Sequence, residues 1–170
     1  MRVFGFAGWS GSGKTTLIER LIPELVGRNV TVSLVKHAHH EFDVDQRGKD
    51  SWRHRNAGCT EVLVSSSVRY AVMHELRDAP ELTLAQAIDR LAPCDLVLIE
   101  GYKGAAIPKL EIHREEVGMP LLHERDRYIV GIATDDPGRF ASRLPAFHLT
   151  DVAGIATFVL AHATVHRRSD

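Results

Sequence analysis

Eight residues near the start of the chain, GWSGSGKT at positions 8–15, constrain its fold more than any other segment. Two glycines separated by four residues and followed by Lys and Thr form the phosphate-loop pattern, which works only between a strand and the N-terminus of a helix. The apolar run VFGFA at positions 3–7 supplies the strand, and the helix is expected from Lys14 onward. Gly8, Gly11 and Gly13 are expected to take positive φ and to press backbone N–H groups against phosphate oxygens with no Cβ in the way. The helix N-terminus adds partial positive charge at the same point. Ser10, Ser12 and Thr16 complete the phosphate-binding stretch. Lys14 is expected to reach the β and γ phosphates, and the Thr15 hydroxyl to hold Mg²⁺.

The rest of the sequence supports one α/β domain over residues 1–170. Leu17, Ile18, Leu21, Ile22, Leu25 and Val26 recur at helical spacing, with Pro23 bending the helix and Gly27 placed to end it. VTVSLVK at 30–36 reads as a second strand, followed by the polar loop HAHHEFDVDQRGK. A short helix over about residues 50–57 can be capped by Asp50 and closed by Gly58. Segments 60–65 and 69–74, joined by a Ser-rich turn, suit a hairpin. Thr83 can cap a helix carrying Leu84, Ala87, Ile88 and Leu91, which Pro93 closes before the buried strand in DLVLIEG. KLEIHR from Lys109 alternates like a half-exposed strand, YIVGIA from Tyr128 reads as a buried one, and a helix over about 152–162 ends the fold. Strands alternating with helices imply a largely parallel sheet with helices on both faces and a ligand at the carboxyl ends of the strands.

Composition excludes some functions. A net charge of −1 gives no general attraction to nucleic acid or anionic lipid, and no apolar run approaches the roughly 20 residues needed to span a membrane. Cys59 and Cys94 lack CxxC spacing and read as thiols of a reducing compartment, so a cytoplasmic protein is expected.

A second acidic group is needed near the phosphates, and the strand DLVLIEG offers Glu100 at its carboxyl end. Asp95 lies at the opposite end of that strand, about 16 Å away at the usual rise per residue. The loop after the second strand concentrates Lys36, His37, His39, His40, Asp43, Asp45, Lys49 and Asp50. It can act as a lid or switch over a nucleotide, with Asp43 or Asp45 holding Mg²⁺ through water. His37, His39 and His40 also offer imidazoles to a transition metal such as nickel. No Asn-Lys-x-Asp segment for guanine is present, but Asp135, after YIVGIA, could accept the N1 and N2 hydrogens of that base.

The segments KHAHHEFDVDQRGKDSWRHRNAG, GWSGSGKT, DLVLIEGYK and PKLEIHR, taken in order, resemble the MobB family of molybdopterin-guanine dinucleotide biosynthesis proteins. The resemblance covers about the first two thirds of the chain. It implies a three-layer phosphate-loop fold, a homodimer, and a GTP-binding adapter that hydrolyses GTP slowly at best. The implied partner is the molybdenum cofactor guanylyltransferase, which joins GMP to Mo-molybdopterin, with molybdopterin itself a candidate ligand. It further implies that residues 8–16 bind phosphate, that Asp45 and Glu100 lie by the magnesium, that residues 36–50 form the lid, and that the strand pair around Lys109 to His113 is a candidate for dimer or partner contacts. Trp9 stands where dimeric relatives with a deviant loop carry a lysine, so activation in trans by that lysine is not expected. Two other readings remain open from the residues. One is a small-molecule kinase using Arg47, Lys49, Arg53 and Arg55 in a closing lid, and the other is a nickel-insertion GTPase using the histidine loop.

Overall fold

The computed structural model describes residues 1–38, 42–140 and 144–168. His39 and His40 lie outside them. The chain divides into two compact units, one formed by Met1–His37 with Leu84–Asp170 and the other by Ala38–Thr83.

The first unit is built on a seven-stranded sheet. Its elements are β1 (Arg2–Ala7), α1 (Lys14–Gly27) and β2 (Val32–Lys36), then, past the other unit, α3 (Leu84–Asp89), β5 (Leu96–Glu100), β6 (Lys109–His113), β7 (Ile129–Thr134), β8 (Ala146–His148), α4 (Val152–His162) and β9 (Thr164–Val165). The strand order is β2-β5-β1-β6-β7-β8, all parallel, with β9 antiparallel to the start of β1. Alternation along the strands divides the core. Phe4, Phe6, Leu96, Leu98, Leu110 and Ile112 pack with Leu17, Leu21 and Leu25 of α1 and Ile155 and Val159 of α4. Val3, Val97 and Ile99 point the other way and pack with Ile88 of α3. Each face of the sheet thus carries a helical layer, the three-layer arrangement expected of the sequence.

The second unit contains α2 (Asp50–Asn56) and a hairpin of β3 (Glu61–Ser65) and β4 (Tyr70–His74). Leu63 and Val72 face each other across this ladder and are 61% and 48% exposed.

Several local expectations are corrected. Gly27 lies inside α1, and the residue that takes positive φ after the helix is Asn29, at 60°. Lys49, not Asp50, is the N-cap of α2, and Asp50 occupies its first turn. The second strand starts at Val32, not Val30. β8 and β9, of three and two residues, are too short to show a period in the sequence.

The largest correction concerns β6. It is an interior strand between β1 and β7, and Lys109 and Glu111 are each only 1% exposed. Lys109 donates through Nζ to the carbonyls of Lys103 and Ala105 at 2.7 Å and pairs with Asp126 at 2.6 Å. Glu111 accepts from the backbone N–H of Leu122 at 2.7 Å and of His123 at 3.0 Å, and lies 2.7 Å from His123 Nδ1. Complete pairing allows these charges to be buried, and it pins the loops on either side of β6 to the sheet. A strand so enclosed presents no free edge, and of its side chains His113 alone is partly exposed.

Candidate functional site

Because the strands from β2 to β8 are parallel, their carboxyl ends share one edge of the sheet. Lys36 pairs in register with Glu100, Glu100 with Phe6, and His113 with Thr134. The phosphate loop therefore leaves β1 between the end of β5, which carries Glu100, and the end of β6, beyond which lies Arg114.

The loop geometry follows from its glycines. Gly11 and Gly13 take φ of 79° and 91°, values that side chains with a Cβ rarely adopt. Gly8 does not take positive φ, contrary to expectation. Its constraint is space, since a Cβ there would lie 2.6 Å from both the Ile112 carbonyl and Ser12 Oγ. Ser12 is buried, and its Oγ has no hydrogen-bond partner among the described residues. Ser10, Thr15 and Thr16 are exposed around the turn.

Lys14 opens α1 and folds back along the loop. Its Nζ donates to the Gly8 carbonyl at 3.1 Å and to the Trp9 carbonyl at 2.8 Å. Burial lowers the pKa of this ammonium below its usual value; Glu100 opposes that effect, and Lys103 and Lys36 add to it. Thr15 donates its hydroxyl to Glu100 Oε1 at 2.9 Å, and Glu100, itself only 6% exposed, faces Lys36 Nζ at 3.8 Å from its other oxygen. A hydroxyl beside a buried carboxylate is an all-oxygen donor pair, the set that a hard cation such as Mg²⁺ takes.

His37 joins this edge through its backbone N–H, which donates to the Glu100 carbonyl at 2.9 Å, and its ring packs against Tyr102. Glycine is required at 101 for two reasons: its φ is 96°, and a Cβ would sit 2.9 Å from the His37 carbonyl. Asp135 follows β7 on the same edge. It is exposed, and it accepts from Thr134 Oγ1 at 3.1 Å.

Asp43, Asp45, Lys49 and Asp50 belong to the second unit. Asp45 accepts from Gln46 N at 2.9 Å, Ser51 Oγ at 2.8 Å and Arg55 Nε at 3.2 Å, so both carboxylate oxygens anchor the start of α2. This differs from the magnesium role that the resemblance implies. Arg55 also binds Asp43 and Glu75, at 2.8 and 2.7 Å, which commits one of the four cations that the kinase reading placed in a lid. The backbone N–H of Asp45 and Arg55 itself hold the Asp43 carboxyl below its usual pKa. Asp50 pairs loosely with Arg53 at 3.8 Å, and Lys49 donates its N–H to the Gln46 carbonyl. Among the described residues no three His, Cys, Asp or Glu side chains converge as a metal site.

Two cations near the loop were not singled out from the sequence. Arg114 lies over Gly13, its Nε 3.3 Å from the position a Cβ would take, and Lys103 places Nζ 4.4 Å from the centre of the Trp9 ring. Each stands directly after a strand or turn at the phosphate edge (KLEIHR, EGYK), the place where ligand contacts are sought in such a sheet.

Comparison with known proteins agrees with this architecture. The family model described as "Molybdopterin guanine dinucleotide synthesis protein B", MobB, matches residues 3–135. A molybdopterin-guanine dinucleotide biosynthesis adapter protein of Haemophilus influenzae is 48% identical over 136 residues, covering 79% of this chain and 75% of its own. The adapter protein of the same description from Escherichia coli is 40% identical over 161 residues, covering 93% and 91%. Among solved structures, a molybdopterin-guanine biosynthesis protein B superposes with a TM-score of 0.71 at 28% identity, covering 94% of this chain and 98% of its own. The Bacillus subtilis MobB structure, at 23% identity and a TM-score of 0.75 over 98% and 100% of the two chains, agrees in fold. The chain belongs to the MobB family, and its role lies in molybdenum cofactor biosynthesis.

Proposed function

We propose that this protein is a GTP-binding adapter that assists the guanylyltransferase converting Mo-molybdopterin to molybdopterin guanine dinucleotide, with GTP hydrolysis slow at most. The observation that carries the reading is the cluster of Lys14, Thr15 and Glu100 at the mouth of a glycine loop, in a chain whose relatives are named adapters. On nucleotide binding, the loop over residues 8–16 turns backbone N–H groups to the phosphates. Lys14 exchanges the carbonyls of Gly8 and Trp9 for phosphate oxygens. Thr15 and Glu100 would hold Mg²⁺, which neutralises phosphate charge when bound. Asp135 accepts from the guanine edge, and Lys36 and His37 begin the lid.

The protein works in the cytoplasm as a homodimer in this reading. No described helix is long and apolar enough to cross a membrane, and the exposed Leu63 and Val72 of the hairpin favour self-association over the enclosed strand β6.

The test is the guanylyltransferase reaction itself, run with Mo-molybdopterin and Mg²⁺-GTP. Added protein should raise the yield of dinucleotide, and Lys14→Ala should remove that gain. An equal gain from Lys14→Ala would overturn the reading.

A further inference from the structure

Beside the phosphate loop, the first unit holds a cavity of about 590 Å³ whose wall includes Ala7, Lys103, Arg125, Asp126, Arg127 and Tyr128. That volume suits a small molecule. Ala7 is the last residue of β1, and the phosphate loop starts with the next one, so the cavity abuts the loop without being part of it.

The charge of this wall is not balanced. Asp126 is the one carboxylate among the described lining residues, and its Oδ2 lies 2.6 Å from Nζ of the buried Lys109. Lys103, Arg125 and Arg127 make no ion pair among the described residues. Two of these three cations are held in place by neighbours: Lys103 stands over the Trp9 ring, and Arg127 donates through Nη2 to the Tyr128 hydroxyl at 3.0 Å with its guanidinium 5.0 Å from the ring centre. Cations gathered in one concave wall without a counter-ion among the described residues favour an anion there. Leu122 and Tyr128 add the apolar surface that an organic body requires. Inorganic phosphate alone would leave that surface bare.

We propose that this cavity binds a small organic phosphomonoester, with its phosphate among Lys103, Arg125 and Arg127 and its organic body against Leu122 and Tyr128. The site is separate from the nucleotide's, and its ligand would be held next to the nucleotide phosphates. The choice of a pterin body for the probe and the placement beside a nucleotide rest on the functional reading above; the cavity and its cations do not.

The experiment is calorimetric titration of 6-hydroxymethylpterin phosphate into the full chain saturated with Mg²⁺ and a non-hydrolysable GTP analogue, with the unphosphorylated alcohol and inorganic phosphate as controls. The ester is expected to bind one to one, with both controls at least roughly tenfold weaker. Arg125→Ala and Arg127→Ala, at exposed positions, should each weaken the ester by roughly tenfold and leave the melting temperature and nucleotide affinity unchanged. Lys14→Ala, tested without nucleotide, should keep the ester affinity. Absence of ester binding would overturn the proposal. So would binding lost in Lys14→Ala but kept in both arginine variants, which would put the anion in the phosphate loop. Arginine variants that leave the ester untouched yet weaken guanylyltransferase binding would also overturn it, and would assign this face to an acidic protein surface. Failure of the GTP analogue to bind would count against the nucleotide reading alone, because the ester titration can be run without it.

Discussion

Thr15 donates its hydroxyl to Glu100 Oε1 across 2.9 Å, although 85 residues separate the two in sequence. The contact exists because β1 and β5 are parallel neighbours whose register sets Glu100 opposite Phe6, just before the phosphate loop. Glu100→Gln keeps an oxygen for Thr15 and removes the charge that faces Lys36 and Lys14. Nucleotide affinity without magnesium should be kept, and the gain on adding Mg²⁺ should fall by roughly tenfold. Titration with and without the ion checks this, and an undiminished gain would remove Glu100 from the metal site.

Glu111 accepts from three donors while almost fully buried. Glu111→Ala would leave the N–H groups of Leu122 and His123 and the His123 ring without their acceptor. A loss of about 3–5 kcal/mol is expected, as for other buried charged networks that lose one member. At about 2–4 °C per kcal/mol for a chain of this size, thermal unfolding monitored by circular dichroism should show a clear fall in Tm. An unchanged Tm would mean that the loop after β6 is not anchored through this carboxylate.

Leu63 and Val72 form a directly opposed pair on β3 and β4 with most of one apolar face exposed. If this face joins two copies of the chain, Leu63→Asp and Val72→Asp, made singly so that no two carboxylates oppose each other across the ladder, should each convert the dimer to a monomer in sedimentation equilibrium, at little cost to folding. A dimer that survives both changes would place the interface elsewhere.

Asp95 binds Thr31 through its hydroxyl at 2.6 Å and its backbone N–H at 2.8 Å, and these bonds hold the carboxyl below its usual pKa. A depressed pKa stabilises the folded state above the unfolded value and loses that contribution as pH falls through the folded one. Asp95→Asn should therefore be less stable than the parent at pH 7, with the difference shrinking below the ordinary value of 3.8. Denaturant midpoints measured at both pH values test the sign. A gap that widens in acid would contradict it.

The long periodic elements were legible in the sequence: α1, α4 and the buried run of β5 have many local repeats to read, and Glu100 follows from its place at a strand end. β6 was not. KLEIH alternates like a strand with one wet face, and only distant groups, Asp126 on one side and the N–H groups of Leu122 and His123 on the other, make burial of its charges tolerable. Gly8 was misjudged for a similar reason. Its need is room beside the Ile112 carbonyl, a contact across more than 100 residues, whereas positive φ belongs to Gly11 and Gly13. Lys103 and Arg114 were passed over because a lone cation after a strand has no spacing signal of its own.

The most direct test of the nucleotide-binding account is calorimetric titration of the wild-type chain with Mg²⁺-GTP and then Mg²⁺-ATP, with and without the guanylyltransferase. The expected result is one GTP bound per chain more tightly than ATP, with binding abolished in Lys14→Ala and a ternary complex formed with the transferase. Equal or tighter binding of ATP, with no effect of the transferase, would contradict the account.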